Sequence, residues 1–145
     1  MNDAIEEVAI LTQREARRNQ VALRMELAAD LPAVMGDPVQ LQQVVMNLIL
    51  NGIEAMSTIE DRERDLVIRT QRGEGDEVRV AVQDSGIGFD PQNAERMFDA
   101  FHTTKPGGLG MGLSISRSIV ESHGGRLWAV PNDGPGATFQ FTFHT

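Results

Sequence analysis

Asp84-Ser85-Gly86-Ile87-Gly88-Phe89 and Gly108-Leu109-Gly110-Met111-Gly112-Leu113 are two glycine loops of different build, joined by a segment that holds Phe98, Phe101 and Thr103-Thr104-Lys105-Pro106. Glycine lets the main chain approach a ligand closely, and the free amides that open a helix suit phosphate. The arrangement is that of a nucleotide held under a lid, here about residues 102–112. Upstream, Asn47-Leu48-Ile49-Leu50-Asn51-Gly52-Ile53-Glu54-Ala55-Met56 reads as a helix with Asn47 and Asn51 four residues apart on one face. Two helical asparagines often face solvent, but this stretch is otherwise so apolar that a functional face is the better reading.

The elements that must position these groups follow from capping and periodicity. Asp37 and Pro38 are an N-cap and a first helical position, and Leu41, Val44, Val45, Leu48, Ile49 and Ile53 recur at helical spacing. Leu66 to Thr70 and Val78 to Val82 read as neighbouring strands across the turn Gly73-Glu74-Gly75-Asp76, the second running into the first glycine loop. Asp90-Pro91 predicts a short helix through about Met97, with Phe98 and Phe101 as apolar anchors. Leu113 to Ser122 predicts a helix with Ile115, Ile119 and Val120 facing inward, terminated by His123-Gly124-Gly125. Strands near Arg126–Val130 and Ala137–Phe143 would close a hairpin through Asn132-Asp133-Gly134. Before all of these, residues 3–18 carry a stripe of Ile5, Val8, Ala9 and Leu11, which predicts a helix, and Val21 to Leu27 alternates as a strand. Helices and strands interspersed in this way predict α/β layers in one domain, residues 1–145.

Composition sets outer limits. A chain of 145 residues with 41% hydrophobic content is enough for one ordinary core. Thirteen basic against 21 acidic side chains give a net charge of −8, which opposes nonspecific attraction to nucleic acid or an anionic membrane. There is no cysteine, hence no disulfide framework and no thiolate metal site, and a cytoplasmic setting is expected. No apolar run approaches the roughly 20 residues of a spanning helix, and Met1-Asn2-Asp3-Ala4-Ile5-Glu6-Glu7 has no signal-peptide pattern, so a membrane anchor, if the protein has one, is expected outside this chain. His102, His123 and His144 are too scattered for a zinc site.

Taken together and in order, these segments resemble the ATP-binding catalytic domain of bacterial sensor histidine kinases, with counterparts of its N, G1, F, G2 and G3 boxes. The resemblance covers nearly the whole chain, from the first helix to Phe143. It implies the Bergerat-type fold of the wider superfamily that includes gyrase, MutL and Hsp90: a mixed sheet covered on one face by helices, with ATP under a lid. It implies that Asp84 accepts a hydrogen bond from the adenine amino group, with Gly86 and Gly88 letting the backbone pass the base and the Thr138 hydroxyl supporting the same contact. Asn51 would be the Mg²⁺ ligand, and Asn47 would orient phosphate or metal-bound water. Gly108, Leu109, Gly110, Met111, Gly112 and Leu113 would supply lid flexibility and phosphate amides. Taken alone, Asp84 also fits an aspartate opening a glycine turn, Thr138 an ordinary strand threonine, and Lys105 a solvated loop lysine.

Two departures matter. Where gyrase and Hsp90 relatives have a water-activating glutamate, this chain has Asn47, and an amide is no general base, so ATP hydrolysis should be poor. Where many sensor kinases have a phosphate-contacting lysine, it has Glu54, and Lys105 in the lid is the candidate replacement cation. That lid resembles the subgroup of sensor kinases related to nitrogen and oxygen signalling. None of the three histidines fits the family's acceptor motif, so the partners implied are a separate dimerising helical domain carrying the acceptor histidine and a response regulator receiver domain. An ATP-sensing module without kinase activity, and a related ATPase or serine kinase, are the alternatives.

Overall fold

The computed structural model describes residues 2–29, 31, 36–75, 77–93, 96–98 and 112–144. In chain order the elements are α1 (Asn2–Arg18), β1 (Val21–Glu26), α2 (Pro38–Ala55), β2 (Arg64–Arg72), β3 (Glu77–Asp84), single 3-10 turns at Pro91–Asn93 and Arg96–Phe98, α3 (Gly112–Ser122), β4 (Leu127–Pro131) and β5 (Ala137–His144). The five strands form one sheet in the order β1-β2-β3-β5-β4. Strand β1 runs parallel to β2 and every other pairing is antiparallel, so the sheet is mixed.

Side chains alternate across a strand, and burial tells which face meets the helices. On β3, Val78, Val80, Val82 and Asp84 are buried, while Arg79, Ala81 and Gln83 alternate to the other face. On β5 the inward set is Ala137, Phe139, Phe141 and Phe143. These join Leu41, Val44, Val45, Leu48, Ile49 and Ile53 of α2 in one core with Ile5 and Val8 of α1 and Ile119 and Val120 of α3. Phe141 meets Phe143 edge-to-face at 5.5 Å, and Phe98 meets Phe139 at 6.2 Å, so Phe98 is the core anchor its type suggests. The α/β architecture read from the sequence, a mixed sheet covered on one face by helices, is the one observed.

Helix α2 starts where the capping residues place it. Asp37 has extended backbone angles and its carboxylate accepts the Val39 N–H at 2.9 Å. All six apolar positions expected to face the core do so.

Three expectations change. Leu11 is 69% exposed, and Thr12 and Ala16 take the inward positions instead. At about 100° per residue, the stripe through Ile5, Val8, Ala9, Thr12 and Ala16 leaves Leu11 roughly a third of a turn aside. Thr12 is tolerated there because its hydroxyl donates to the Val8 carbonyl at 2.8 Å. The helix expected after Asp90-Pro91 is two separate 3-10 turns. Strands β2 and β3 outrun the apolar alternation at both ends, because polar residues such as Arg64 still pair; its guanidinium donates to the carbonyls of Ile59 at 3.0 Å and Asn19 at 2.7 Å. Phe101 and residues 102–111 of the expected lid lie outside the described residues.

The core assignment makes a graded prediction. Ile49→Ala, at a position with no exposure, should cost roughly 2–5 kcal/mol, the range for large-to-small changes in a packed core. Leu11→Ala should cost under about 0.5 kcal/mol, as surface changes do. Urea unfolding of both variants checks this, and similar losses would place Leu11 in the core after all.

Candidate functional site

Because alternation runs unbroken along β3, its last residue must point inward, and that residue is Asp84. The carboxylate is 3% exposed at the edge of an apolar core, where an unpaired charge would be costly. Backbone amides hold it: Oδ1 accepts the Gly86 N–H at 2.9 Å and the Ala137 N–H at 3.3 Å. Oδ2 faces α2. A Cβ built on buried Gly52 would stand 3.8 Å from Asp84 Oδ2 and only 2.7 Å from Leu66 Cδ1. The tight contact is with the Leu66 side chain and the carboxylate stands at ordinary van der Waals distance, so glycine at position 52 lets α2 lie close against β2 next to Asp84.

The first glycine loop is fixed on every side. Ile87 N–H donates to the Ala55 carbonyl at 3.1 Å, and a Cβ on Gly86 would come within 2.5 Å of that same oxygen. Gly88 has φ +72 and would place a Cβ 3.2 Å from the Gly136 carbonyl oxygen; Gly136 itself has φ +97, and a Cβ there would collide with the Asp84 carbonyl oxygen. From the far side Arg62 donates through Nε to the Ser85 carbonyl at 2.9 Å and through Nη2 to the Gly86 carbonyl at 2.8 Å. The Ser85 hydroxyl accepts the Asp65 N–H at 3.0 Å and donates to the Glu63 carbonyl at 2.9 Å.

Thr138 is one residue out of phase with this arrangement. It pairs with Gln83 and shares that residue's open sheet face, where both line a groove of about 550 Å³ together with Arg24, Val67 and Arg69. Its hydroxyl donates to Asn132 Oδ1 at 2.6 Å, and Asn132 Nδ2 in turn donates to the Asp84 carbonyl at 2.8 Å. The group of β5 that meets the Asp84 carboxylate is the Ala137 amide, so Thr138 supports the strand end from behind rather than the carboxylate directly.

The second cluster lies one to two turns up α2. Asn47 Nδ2 donates to the Ser116 hydroxyl at 3.1 Å and to the Gly112 carbonyl at 3.3 Å, tying α2 to the first turn of α3. Asn51, one turn on, lies between that tie and Gly52 beside Asp84. Gly112 opens α3, whose first free amides belong to the residues that follow, and Leu113 packs partly buried on the core. The amide oxygens of Asn47 and Asn51 are the ligand type a hard cation takes, and a helix N-terminus with a glycine before it is the type that takes phosphate. Lys105, Gly108, Leu109, Gly110 and Met111 lie outside the described residues.

His123 has a different task. Its Nδ1 lies 2.8 Å from the Ile119 carbonyl, which can only accept, and its Nε2 accepts the Asp37 N–H at 3.4 Å. The neutral Nδ1–H tautomer thus joins the end of α3 to the cap of α2. Sequence reasoning set His123 at the end of α3 and Asn132 in the closing hairpin without their contacts, and it missed Gly52, Arg62 and Ser116. Only Gly52 carried a signal, a glycine inside an apolar helix.

Residues 36–145 match the family described as histidine kinase-, DNA gyrase B-, and HSP90-like ATPase. Sensor protein FixL of Bradyrhizobium diazoefficiens is 44% identical over 98% of this chain and 28% of its own length. The chain thus spans about a quarter of that relative. Among solved structures, the catalytic domain of histidine kinase ThkA is 32% identical with a TM-score of 0.86, over 99% of this chain and 91% of that one. Full-length ShkA in complex with AMPPNP is 25% identical with a TM-score of 0.84, over 97% of this chain and 29% of that one.

The two glycines of the β4–β5 hairpin should respond differently to substitution. Gly136→Ala forces a side chain into left-handed backbone and into the Asp84 carbonyl, so it should cost at least about 1–3 kcal/mol. Gly134→Ala, with nothing within 4 Å of the new Cβ, should stay within about 0.5 kcal/mol. Thermal melts of the two variants decide, and equal tolerance would remove Gly136 from the support of Asp84.

Proposed function

The chain belongs to the histidine kinase-, DNA gyrase B-, and HSP90-like ATPase family, and from that premise we propose that it binds Mg²⁺-ATP and transfers the γ-phosphoryl group to a histidine on a separate dimerising helical domain. The phosphohistidine then supplies an aspartate on the receiver domain of a response regulator, and the reaction takes place in the cytoplasm. ThkA, with which this chain shares its fold, has been solved in complex with the response regulator protein TrrA. The observation that carries the reading is the single helix α2, which lays Gly52 beside the buried Asp84 carboxylate and carries Asn51 and Asn47 one and five positions before it, with Asn47 tied to the start of α3.

In this reading Asp84 accepts a hydrogen bond from the adenine amino group, which separates adenine from guanine. Gly86 and Gly88 keep the backbone low beside the base. Asn51 gives its amide oxygen to the metal and Asn47 orients phosphate or metal-bound water next to it. Mg²⁺, when bound, neutralises charge on the phosphate oxygens. Amides at the start of α3 and Leu109 to Leu113 donate to phosphate, and Lys105 brings a cation to the γ-phosphate as the lid closes. The nucleophile is the partner's imidazole: its nitrogen bonds to the γ-phosphorus, the bond to the bridging oxygen breaks, ADP leaves with that electron pair, and the imidazole gives up its proton. Positioning and charge neutralisation supply the catalysis, and with an amide at position 47 water has no general base.

Incubation with γ-labelled ATP and a helical hairpin carrying the receiving histidine tests this. The expected product is acid-labile, base-stable label on the hairpin, abolished in Asn51→Ala while that variant keeps its circular dichroism spectrum. Label on serine, or none at all, rejects histidine transfer in favour of a serine kinase or an ATP-sensing module. Transfer by Asn51→Ala at the parent rate rejects Asn51 as the metal ligand.

Glu54 leaves the helix without a cation at its position, and Lys105 is the lysine of the lid. Lys105→Ala should therefore weaken ATP more than ADP and slow transfer by roughly tenfold or more, the scale of one lost charge-assisted contact. Calorimetry with the two nucleotides reads the selectivity. An ATP/ADP ratio and a transfer rate both equal to the parent's would return Lys105 to an ordinary solvated lysine.

A further inference from the structure

Ser116 is fully buried on α3, one turn past the second glycine motif and in none of the motifs that the sequence marked, and its hydroxyl meets Asn47. The contact settles which way the Asn47 amide points. A carbonyl oxygen can only accept, so the group of Asn47 that faces the Gly112 carbonyl at 3.3 Å must be Nδ2. Its second hydrogen goes to Ser116 Oγ at 3.1 Å. An asparagine amide has two donor hydrogens and one acceptor oxygen. Both donors are thus committed to α3, and what remains for the cleft is Oδ1.

That distribution has a chemical consequence. Phosphate oxygens are acceptors and gain nothing from a carbonyl-type oxygen, whereas a hard divalent cation, or a water held by one, does. We propose that Ser116 is a positioning residue of the metal site: it holds the Asn47 amide so that Oδ1 is presented to the cation side of the cleft beside Asn51, and it thereby makes Asn47 a partner of Mg²⁺ or of its bound water rather than a phosphate donor. The inference rests on the reading that Asn51 and Asn47 flank the metal. Ser116 touches no reacting atom; it acts through Asn47.

Removing the hydroxyl in Ser116→Ala leaves Asn47 with one long hydrogen bond to α3, and the amide gains freedom to turn its NH₂ toward the cleft. The cost should fall on the metal and not on the base. Calorimetric titration of the full chain with AMPPNP in EDTA, and again across a series of Mg²⁺ concentrations, separates the two. Ser116→Ala is expected to bind metal-free AMPPNP within twofold of the parent, while the Mg²⁺ concentration at half-effect rises about fivefold, the scale of one neutral hydrogen bond. Ser116→Thr, which keeps the hydroxyl, should restore most of the Mg²⁺ response. A Mg²⁺ midpoint unchanged in Ser116→Ala, or metal-free and metal-dependent binding weakened alike, overturns the role of Ser116 while leaving the metal reading in place. A parent protein indifferent to Mg²⁺ overturns the metal reading and this role with it.

Discussion

A carboxylate on the apolar face of the sheet sets the terms for its surroundings. Water would solvate Asp84 at no cost, but the alternation of β3 turns it inward, and at 3% exposure the charge must be met by protein donors. The donors are backbone amides of Gly86 and Ala137, which can only be brought there if the chain reverses tightly after β3 and if β5 begins at the same level. Those demands account for two of the glycines: Gly136 leaves room for the Asp84 carbonyl, and Gly86 for the Ala55 carbonyl as the chain reverses. Arg62 and Asn132 then bind the carbonyls that the tight path leaves pointing outward.

How much of this was legible in the sequence depends on the kind of signal each part leaves. Helix α2 was fully legible because six apolar positions and a cap agree. Asp84, Gly86 and Gly88 were legible because glycine next to aspartate after a strand is a pattern of residue types in one segment. Ser116, Arg62 and Asn132 were not, since each acts on a partner distant in the chain: 69 residues separate Asn47 from Ser116, and 48 separate Asp84 from Asn132. Leu11 misled because an apolar residue close to a stripe resembles one inside it, and only the packing of Thr12 shows where the stripe runs. Thr138 stands one position out of phase with the Asp84 carboxylate. Strand phase decides which of two adjacent residues faces the carboxylate, and phase is fixed by pairing with β3.

Helix α2 does more than fill the core. Asn47 and Gly52 are five residues apart, about 7.5 Å of rise in a rigid rod whose apolar side is locked against the sheet. Both ends of the site are therefore measured along one element. The Asp84 carboxylate is held by backbone amides, whereas Asn47 is held by the Ser116 hydroxyl and the Gly112 carbonyl at the start of α3, immediately after the expected lid. A change in the position of Gly112 is felt by Asn47 directly, with no intermediary beyond one hydrogen bond.

Charge argues for the same division of labour. A chain with net charge −8 gives an anionic nucleotide no help at long range, and at physiological ionic strength that opposition fades within about 8 Å. Affinity for a triphosphate must then come from groups in contact with it. On the proposed reading, Asp84 contributes selectivity for the base and no cationic attraction. On the same reading, the attraction falls to a cation beside the amide oxygens of Asn47 and Asn51, to the amides that open α3 and to Lys105.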